Sequence, residues 1–421
     1  MYERVTLTNG VRILCANMPH VRSVSIGLLF GVGSRYEPER LAGVSHFIEH
    51  MLFKGTERYP TAQLISQAIE GVGGVLDAAT DKELTVYSAK IASRHFDLAI
   101  EVLSDMTLRP RLDQSELDKE RRVIVEEINM YRDSPQDWVG VLADETYWGD
   151  QPLGREVAGS RQSVEAITRE ALDGYRTAHY VPGNLVIAIA GDVELARAAD
   201  TAQRLFGAWE AAPVPQWTPC VPPGDAPRVR LEQRKTEQTN LCLVTPGVAY
   251  SHPDYYAQAL LNAILGEGMS SRLFVEVREQ QGLAYEVSSS PASYHDTGCF
   301  YVYAGVEPRR AAPALRAILA ELARLGAGLV PEDELARSKE YVKGRMALRL
   351  EDTNSVAGWL GGQEALRGEV QDVDAIMARF DAVSAADLRR LAGELFRTEA
   401  LRLAVIGPHR DPAEFESLLA L

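Results

Sequence analysis

The stretch GGVLDAATDKELTVYSAKI, Gly73–Ile91, reads as strands rich in β-branched and aromatic residues, and the helical pattern RHFDLAIEVLSDMTL follows it directly. The same succession returns in the second half of the chain. There GLAYEVSSSPASYHDTGCFYVYAGV, Gly282–Val306, precedes the helical AAPALRAILAELARL. Each copy then runs into an acidic helix start, DQSELDKERRVIVEEI from Asp113 and PEDELARSKEYVKGRM from Pro331. Self-similarity on this scale predicts a duplicated α+β unit.

Between the copies, EAAPVPQWTPCVPPGDAP (Glu210–Pro227) crowds six prolines into a stretch that can hold neither a helix nor a central strand. The expected organisation is an α+β domain over 1–210, a Pro-rich linker over 211–227 and a homologous α+β domain over 228–421. Aligning Glu116 with Glu334 sets an offset of 218 residues, which puts Ser338 opposite Glu120 and Arg345 opposite Glu127. The repeat therefore keeps the fold while its second copy lacks those carboxylates.

A chain of 421 residues exceeds one ordinary core, and its 46% hydrophobic and 24% charged content is that of a soluble globular protein. A formal charge of −15 argues against nucleic acid, because like charge repels a phosphate backbone, and makes a basic peptide the more natural partner. The N-terminal MYERVTLTNGVRILC has an early Glu and no apolar run of signal length, and no segment is apolar for the length of a membrane span. A cytoplasmic location without membrane insertion is expected. The four cysteines, Cys15, Cys220, Cys242 and Cys299, are widely spaced and form no C-x-x-C pair, which predicts free thiols.

Chemistry concentrates in SHFIEHMLFKGT, Ser45–Thr56. On a helix, positions i, i+3 and i+4 share a face, so His46, Glu49 and His50 point to one spot and the two imidazoles can hold one metal ion. Catalytic zinc sites commonly use three protein ligands and keep a position for water, so a further ligand is needed. Candidates lie on SELDKERRVIVEEINMY, Ser115–Tyr131, which Asp113 can N-cap. Glu120 and Glu127 stand seven residues, two turns, apart and face the same way, beside the apolar Val123, Ile124 and Ile128. Glu126 is the rival that periodicity leaves open.

With these motifs in place, the sequence resembles the M16 family of zinc peptidases, the pitrilysin, insulin-degrading enzyme and mitochondrial processing peptidase group, whose signature is the inverted H-x-x-E-H. The resemblance covers nearly the whole chain and is strongest to the short bacterial members. GVGSRYEPERLAGVSHFIEHMLFKGT, AATDKELTVY and HYVPGNLVIAIAGDV match that family's motifs in order. The family's spacing to its third ligand selects Glu127, 77 residues past His50, and its further glutamate seven residues earlier matches Glu120. Asp77 stands where members often carry Asn. In SSRLFVEVREQQGLAYEV, Ser271–Val287, the pair Arg278 and Tyr285 resembles the family's Arg/Tyr pair.

The resemblance implies the mitochondrial-processing-peptidase-like fold, two homologous α+β domains forming half of a clamshell chamber. It implies one zinc per chain on His46, His50 and Glu127, with Glu49 as base and Glu120 behind the ligands. Asp77, Ala78 and Thr80 would contact substrate backbone along a sheet edge, and Arg278 and Tyr285 would stabilise the oxyanion. The expected activity is zinc-dependent endopeptidase action on short or unfolded polypeptides. Larger relatives resemble four such units in one chain, so a homodimer with composite sites is expected. The alternative is a non-catalytic structural or partner subunit of a larger complex.

Overall fold

Alternating apolar and polar positions become strands, and the computed structural model describes residues 2–221 and 227–421. Among these residues, two sheets form. The first comprises β1 (Glu3–Thr6), β2 (Arg12–Asn17), β3 (Ser23–Phe30), β4 (Val75–Thr80), β5 (Thr85–Ala92) and β6 (Leu185–Gly191), in the order β1-β2-β6-β3-β5-β4. The second comprises β7 (Val229–Gln233), β8 (Thr239–Pro246), β9 (Ala284–Ser293), β10 (Gly298–Val306) and β11 (Arg402–Gly407), in the order β7-β11-β8-β10-β9. Remove β1 and the two orders coincide. In each, the pair at the corresponding place, β2 with β6 and β7 with β11, is parallel while its other ladders are antiparallel. The fold is α+β with two domains.

Strand β6, LVIAIAG, is buried at every position, which requires cover on both faces. Its alternate residues go to different cores. Ile187 and Ile189 join Ile13, Val24, Ile26 and Leu28 under the helices of the first half. Val186, Ala188 and Ala190 join Leu14, Leu29 and Leu360, and Leu360 lies on the helix Thr353–Arg367 from the far end of the chain. The small side chains of Ala188 and Ala190 let that helix approach closely. A Cβ on its Gly361 would fall 2.4 Å from Leu29 Cδ1, so glycine is the residue that fits.

The second sheet repeats the device. Its β8 and β11 carry Cys242, Val244, Ala404 and Ile406 against Val139, Leu142, Ala143 and Tyr147 of the helix Pro135–Trp148. The two compact units are consequently discontinuous in sequence. One is Met1–Asn129 with Glu156–Thr218 and Ala347–Gln371, and the other is Met130–Arg155 with Pro219–Met346 and Asp372–Leu421. Each takes a covering helix from the opposite half of the chain. Of the Pro-rich stretch 211–227, residues 211–221 hold no helix or strand, and 222–226 lie outside the described residues. All four cysteines are free thiols. Among the described residues, no helix is long and apolar enough to cross a membrane.

Candidate metal centre

The helix Val44–Leu52 is amphipathic in an uncommon sense: its second face is polar yet only partly exposed. Val44, Phe47, Ile48 and Met51, at i, i+3, i+4 and i+7, are fully buried and fix the helix on the first core. The opposite face presents His46, Glu49 and His50, all of intermediate exposure. The start of the helix is held rigidly. Gly43 sits at φ +92°, and a Cβ there would lie 2.4 Å from the carbonyl oxygen of Ala158. Glu37, 2% exposed, accepts hydrogen bonds from the N–H groups of Gly43 and Ser45, each at 2.7 Å. Such charge-assisted bonds to otherwise unpaired helix donors contribute on the order of 1.5–3 kcal/mol each.

The helix Gln114–Asp133 supplies the carboxylates. Leu117, Ile124, Val125 and Ile128 are its buried stripe, whereas Val123 is 49% exposed and lies outside it, contrary to the apolar neighbourhood expected from sequence. Asp113, at its start, pairs with Arg111 at 3.0 Å. Glu127 Oε2 stands 3.4 Å from His50 Nε2 and 3.7 Å from His46 Nε2. One ligand atom from each of these three residues lies within 4.8 Å of the others. Donors about 2.1 Å from a tetrahedral zinc would be roughly 3.4 Å apart, so a modest contraction closes the set. Glu126 is exposed and its hydrogen bond goes to Asn129, away from both histidines.

Glu120 and Glu127 face the same side but do different things. Glu120, 6% exposed, bonds His50 Nδ1 through Oε2 at 3.1 Å and Lys54 Nζ through Oε1 at 2.8 Å. That contact leaves His50 Nε2 directed at Glu127 and fixes the tautomer a ligating histidine needs. Lys54 follows His50 by four residues, just past the end of the helix at Leu52, and reaches Glu120 from there.

Electrostatics divide the histidines. Burial, with the neighbouring His50 charge, pushes His46 down to about 4, so it is a neutral imidazole. Burial also opposes charge on His50, but hydrogen bonds to Glu120 and Glu127 outweigh it and raise the group to about 9. The bond from His50 lowers Glu127 despite burial, and bonds from His50 and Lys54 lower Glu120 against its desolvation. His46 has a further peculiarity. Its Nδ1 is buried without a hydrogen-bond partner among the described residues, and its Nε2 is beyond hydrogen-bond distance of Glu127. His46 Nε2 and His50 Nε2 both face the Glu127 carboxylate, and two imidazole nitrogens with a carboxylate oxygen at these separations make a donor set that fits a divalent cation.

Glu49 lies apart from the three donors. Thr80 Oγ1, at the end of β4, donates to its Oε2 at 2.5 Å, and burial holds the Glu49 carboxyl above its ordinary range although that bond pulls the other way. Asp77 is exposed on β4 and accepts from the N–H of Ala78 at 2.9 Å. β4 closes the first sheet, and among the described strands its outer edge pairs with none. In the other unit, Arg278 lies on the helical turn Phe274–Gln280, its guanidinium 5.2 Å from the Tyr285 ring and 4.7 Å from that of Phe274. Tyr285 is 75% exposed on the edge strand β9. The structure thus brings together His46, His50 and Glu127, with Glu49, Glu120 and Thr80 around them, and separately Arg278 with Tyr285. The Glu37 clamp and the Thr80–Glu49 bond had no sequence signal beyond residue type.

Comparison with known proteins supplies an independent line. Residues 12–161 match the model described as insulinase (peptidase family M16), and residues 166–342 match that of the peptidase M16 inactive domain. An uncharacterized zinc protease of Bacillus subtilis is 38% identical over 408 residues, 97% of this chain and 98% of that protein. One of Streptomyces coelicolor is also 38% identical, over 97% of this chain and 90% of its own length. Among solved structures, a protease from Helicobacter pylori superposes with a TM-score of 0.91 at 24% identity, covering 97% of this chain and 99% of that one. A chain of Complex III2 from Candida albicans, with Inz-5 bound, superposes with a TM-score of 0.84 at 20% identity, over all of both chains.

Proposed function

We propose that this chain, which belongs to peptidase family M16, is a zinc-dependent endopeptidase that hydrolyses short or unfolded polypeptides within a closed chamber. The observation that carries the reading is the convergence of His46 Nε2, His50 Nε2 and a Glu127 carboxylate oxygen on one point. These three residues would hold one zinc per chain. Bound zinc supplies Lewis acidity that polarises the scissile carbonyl and makes water a nucleophile near neutral pH.

The chain's own residues supply the remainder. Glu49 is the base: its carboxylate takes the proton of the attacking water and delivers it to the departing amine nitrogen. Glu120 holds His50 by Nδ1, and Lys54 holds Glu120. The open edge of β4 supports binding of the peptide as an added strand beside Asp77 and Ala78, a mode that reads backbone more than side chains. A basic peptide suits the acidic balance of the chain.

Arg278 and Tyr285 are assigned to the oxyanion, in a site completed by a second copy of the chain, so the working form is a homodimer in the cytoplasm. A second reading, a non-catalytic subunit, draws on the fold shared with a chain of Complex III2. The intact donor set and the placed Glu49 favour the enzyme. Digestion of a peptide library by the zinc-loaded chain, with and without a chelator, tests the proposal. Cleavage that stops on chelation and returns with zinc is expected, and a zinc-loaded chain that cuts nothing would refute it.

A further inference from the structure

We propose that Thr80 is a positioning residue for Glu49 and not, as its motif suggests, a contact for substrate backbone; this rests on the reading of Glu49 as the base. Burial alternates along β4. Val75, Asp77 and Ala79 are exposed, whereas Leu76, Ala78 and Thr80 are half-buried on the side that faces the helix Val44–Leu52. The Thr80 hydroxyl is thereby directed to the helix, where it meets Glu49 Oε2 at 2.5 Å. An ionised carboxylate can only accept, so the hydroxyl donates.

The donor itself is well anchored. Thr80 pairs with Thr85 across the β4–β5 ladder, the intervening turn is closed by the Asp81 N–H on the Leu84 carbonyl at 2.8 Å, and Thr85 Oγ1 donates to the Val32 carbonyl at 2.8 Å. Glu49, by contrast, has a long side chain with several rotatable bonds. A fixed donor on one oxygen confines it at small entropic cost. The bond also sorts the two oxygens. While Glu49 is a carboxylate, Thr80 occupies Oε2 and leaves Oε1 to accept the water's proton. When Oε1 carries that proton, Oε2 is the carbonyl oxygen of a neutral acid and still accepts from Thr80. The proton then passes from Oε1 to the amine nitrogen, and the Thr80 O–H bond is never broken.

The test uses the full chain loaded with zinc and two variants, Thr80→Val, which keeps the shape and removes the hydroxyl, and Thr80→Ser, which restores it. Loss of one hydrogen bond to a charged group predicts that kcat falls about 10- to 100-fold in Thr80→Val, with KM within about twofold of the parent, and that Thr80→Ser recovers most of the loss. Zinc content should be the same in all three. A crystal structure of Thr80→Val should show Glu49 away from its parent rotamer or spread over several. A raised KM with kcat retained would assign Thr80 to the substrate and overturn the proposal, as would an unchanged kcat or a Thr80→Ser as impaired as Thr80→Val. If the parent chain cuts no peptide, the peptidase reading fails on its own account, and the Glu49 rotamer in Thr80→Val still decides this one: an unmoved carboxylate overturns it.

Discussion

Three glutamates on one helix, Glu120, Glu126 and Glu127, differ in what they touch, and their amide variants should separate by orders of magnitude in zinc affinity. Glu127 presents Oε2 to both imidazole nitrogens, at 3.4 and 3.7 Å. Glu127→Gln replaces an anionic donor with a neutral one and should weaken zinc binding more than about 100-fold, that is by more than about 2.7 kcal/mol. Glu120 would reach an ion only through His50, and losing an outer partner of a ligating histidine costs about 10- to 100-fold. Glu126 is turned about 100° from Glu127 around the helix and bonds Asn129, so Glu126→Gln should leave the affinity within about twofold. Competition against a chromophoric chelator, followed by titration, measures all three on one scale. Circular dichroism of each variant guards against loss of the helix. Equal losses in Glu126→Gln and Glu127→Gln, or a larger loss in Glu120→Gln than in Glu127→Gln, would refute the assignment of ligand and support.

Three further outcomes are expected. Glu49→Gln should bind zinc like the parent and lose about 100- to 10,000-fold of peptidase rate, because the amide cannot accept a proton; a zinc-loaded variant near parent activity contradicts the mechanism. His50→Ala and Tyr285→Phe should each be nearly inactive alone, and subunit exchange between them should restore up to about half the parent rate per mixed dimer under two-fold symmetry, read by peptide cleavage after mixing. Demonstrated exchange with no recovery would mean that Tyr285 does not complete the site of a second copy. Leu360→Ala should destabilise the chain by about 2–5 kcal/mol in denaturant melts, since Leu360 is fully buried against Leu29 and Ala188; a loss below about 1 kcal/mol would show that the helix Thr353–Arg367 does not cover the second face of the first sheet.

The fold was legible as a repeat because each copy has to bury the same strand–helix succession, and the matching sheet orders reflect that. What the linear pattern could not disclose is where each copy finds its second covering layer. β6 reads as an unbroken apolar run, which says that both faces are covered, but nothing in LVIAIAG names the cover. The helix that meets Ala188 and Ala190 begins at Thr353, over 160 residues away in sequence. A boundary placed in the Pro-rich stretch follows the composition, whereas the contacts follow the cores. Long-range exchange of this kind leaves only indirect marks, such as Gly361, whose missing side chain makes room for Leu29.

At the site, legibility tracks how far apart partners lie along the chain. His46, Glu49 and His50 share a face by helical period alone, and Lys54 joins them from just past the helix end. Period also aligns Glu120 with Glu127, but it cannot rank them, because the distinction is made by Lys54 from another element. Glu37 and Thr80 are further removed: one clamps the helix from the preceding loop, and the other reaches it from a strand 31 residues on. Both are small motifs of ordinary residues whose meaning is a distance, and a distance across elements has no period. This is why the spacing of the three clustered donors could be read from the sequence while the groups that hold Glu49 and the helix in place required the packing. Those groups are also where a chain with its ligands intact could still lose catalysis, so Glu37 and Thr80 deserve substitution alongside the histidines.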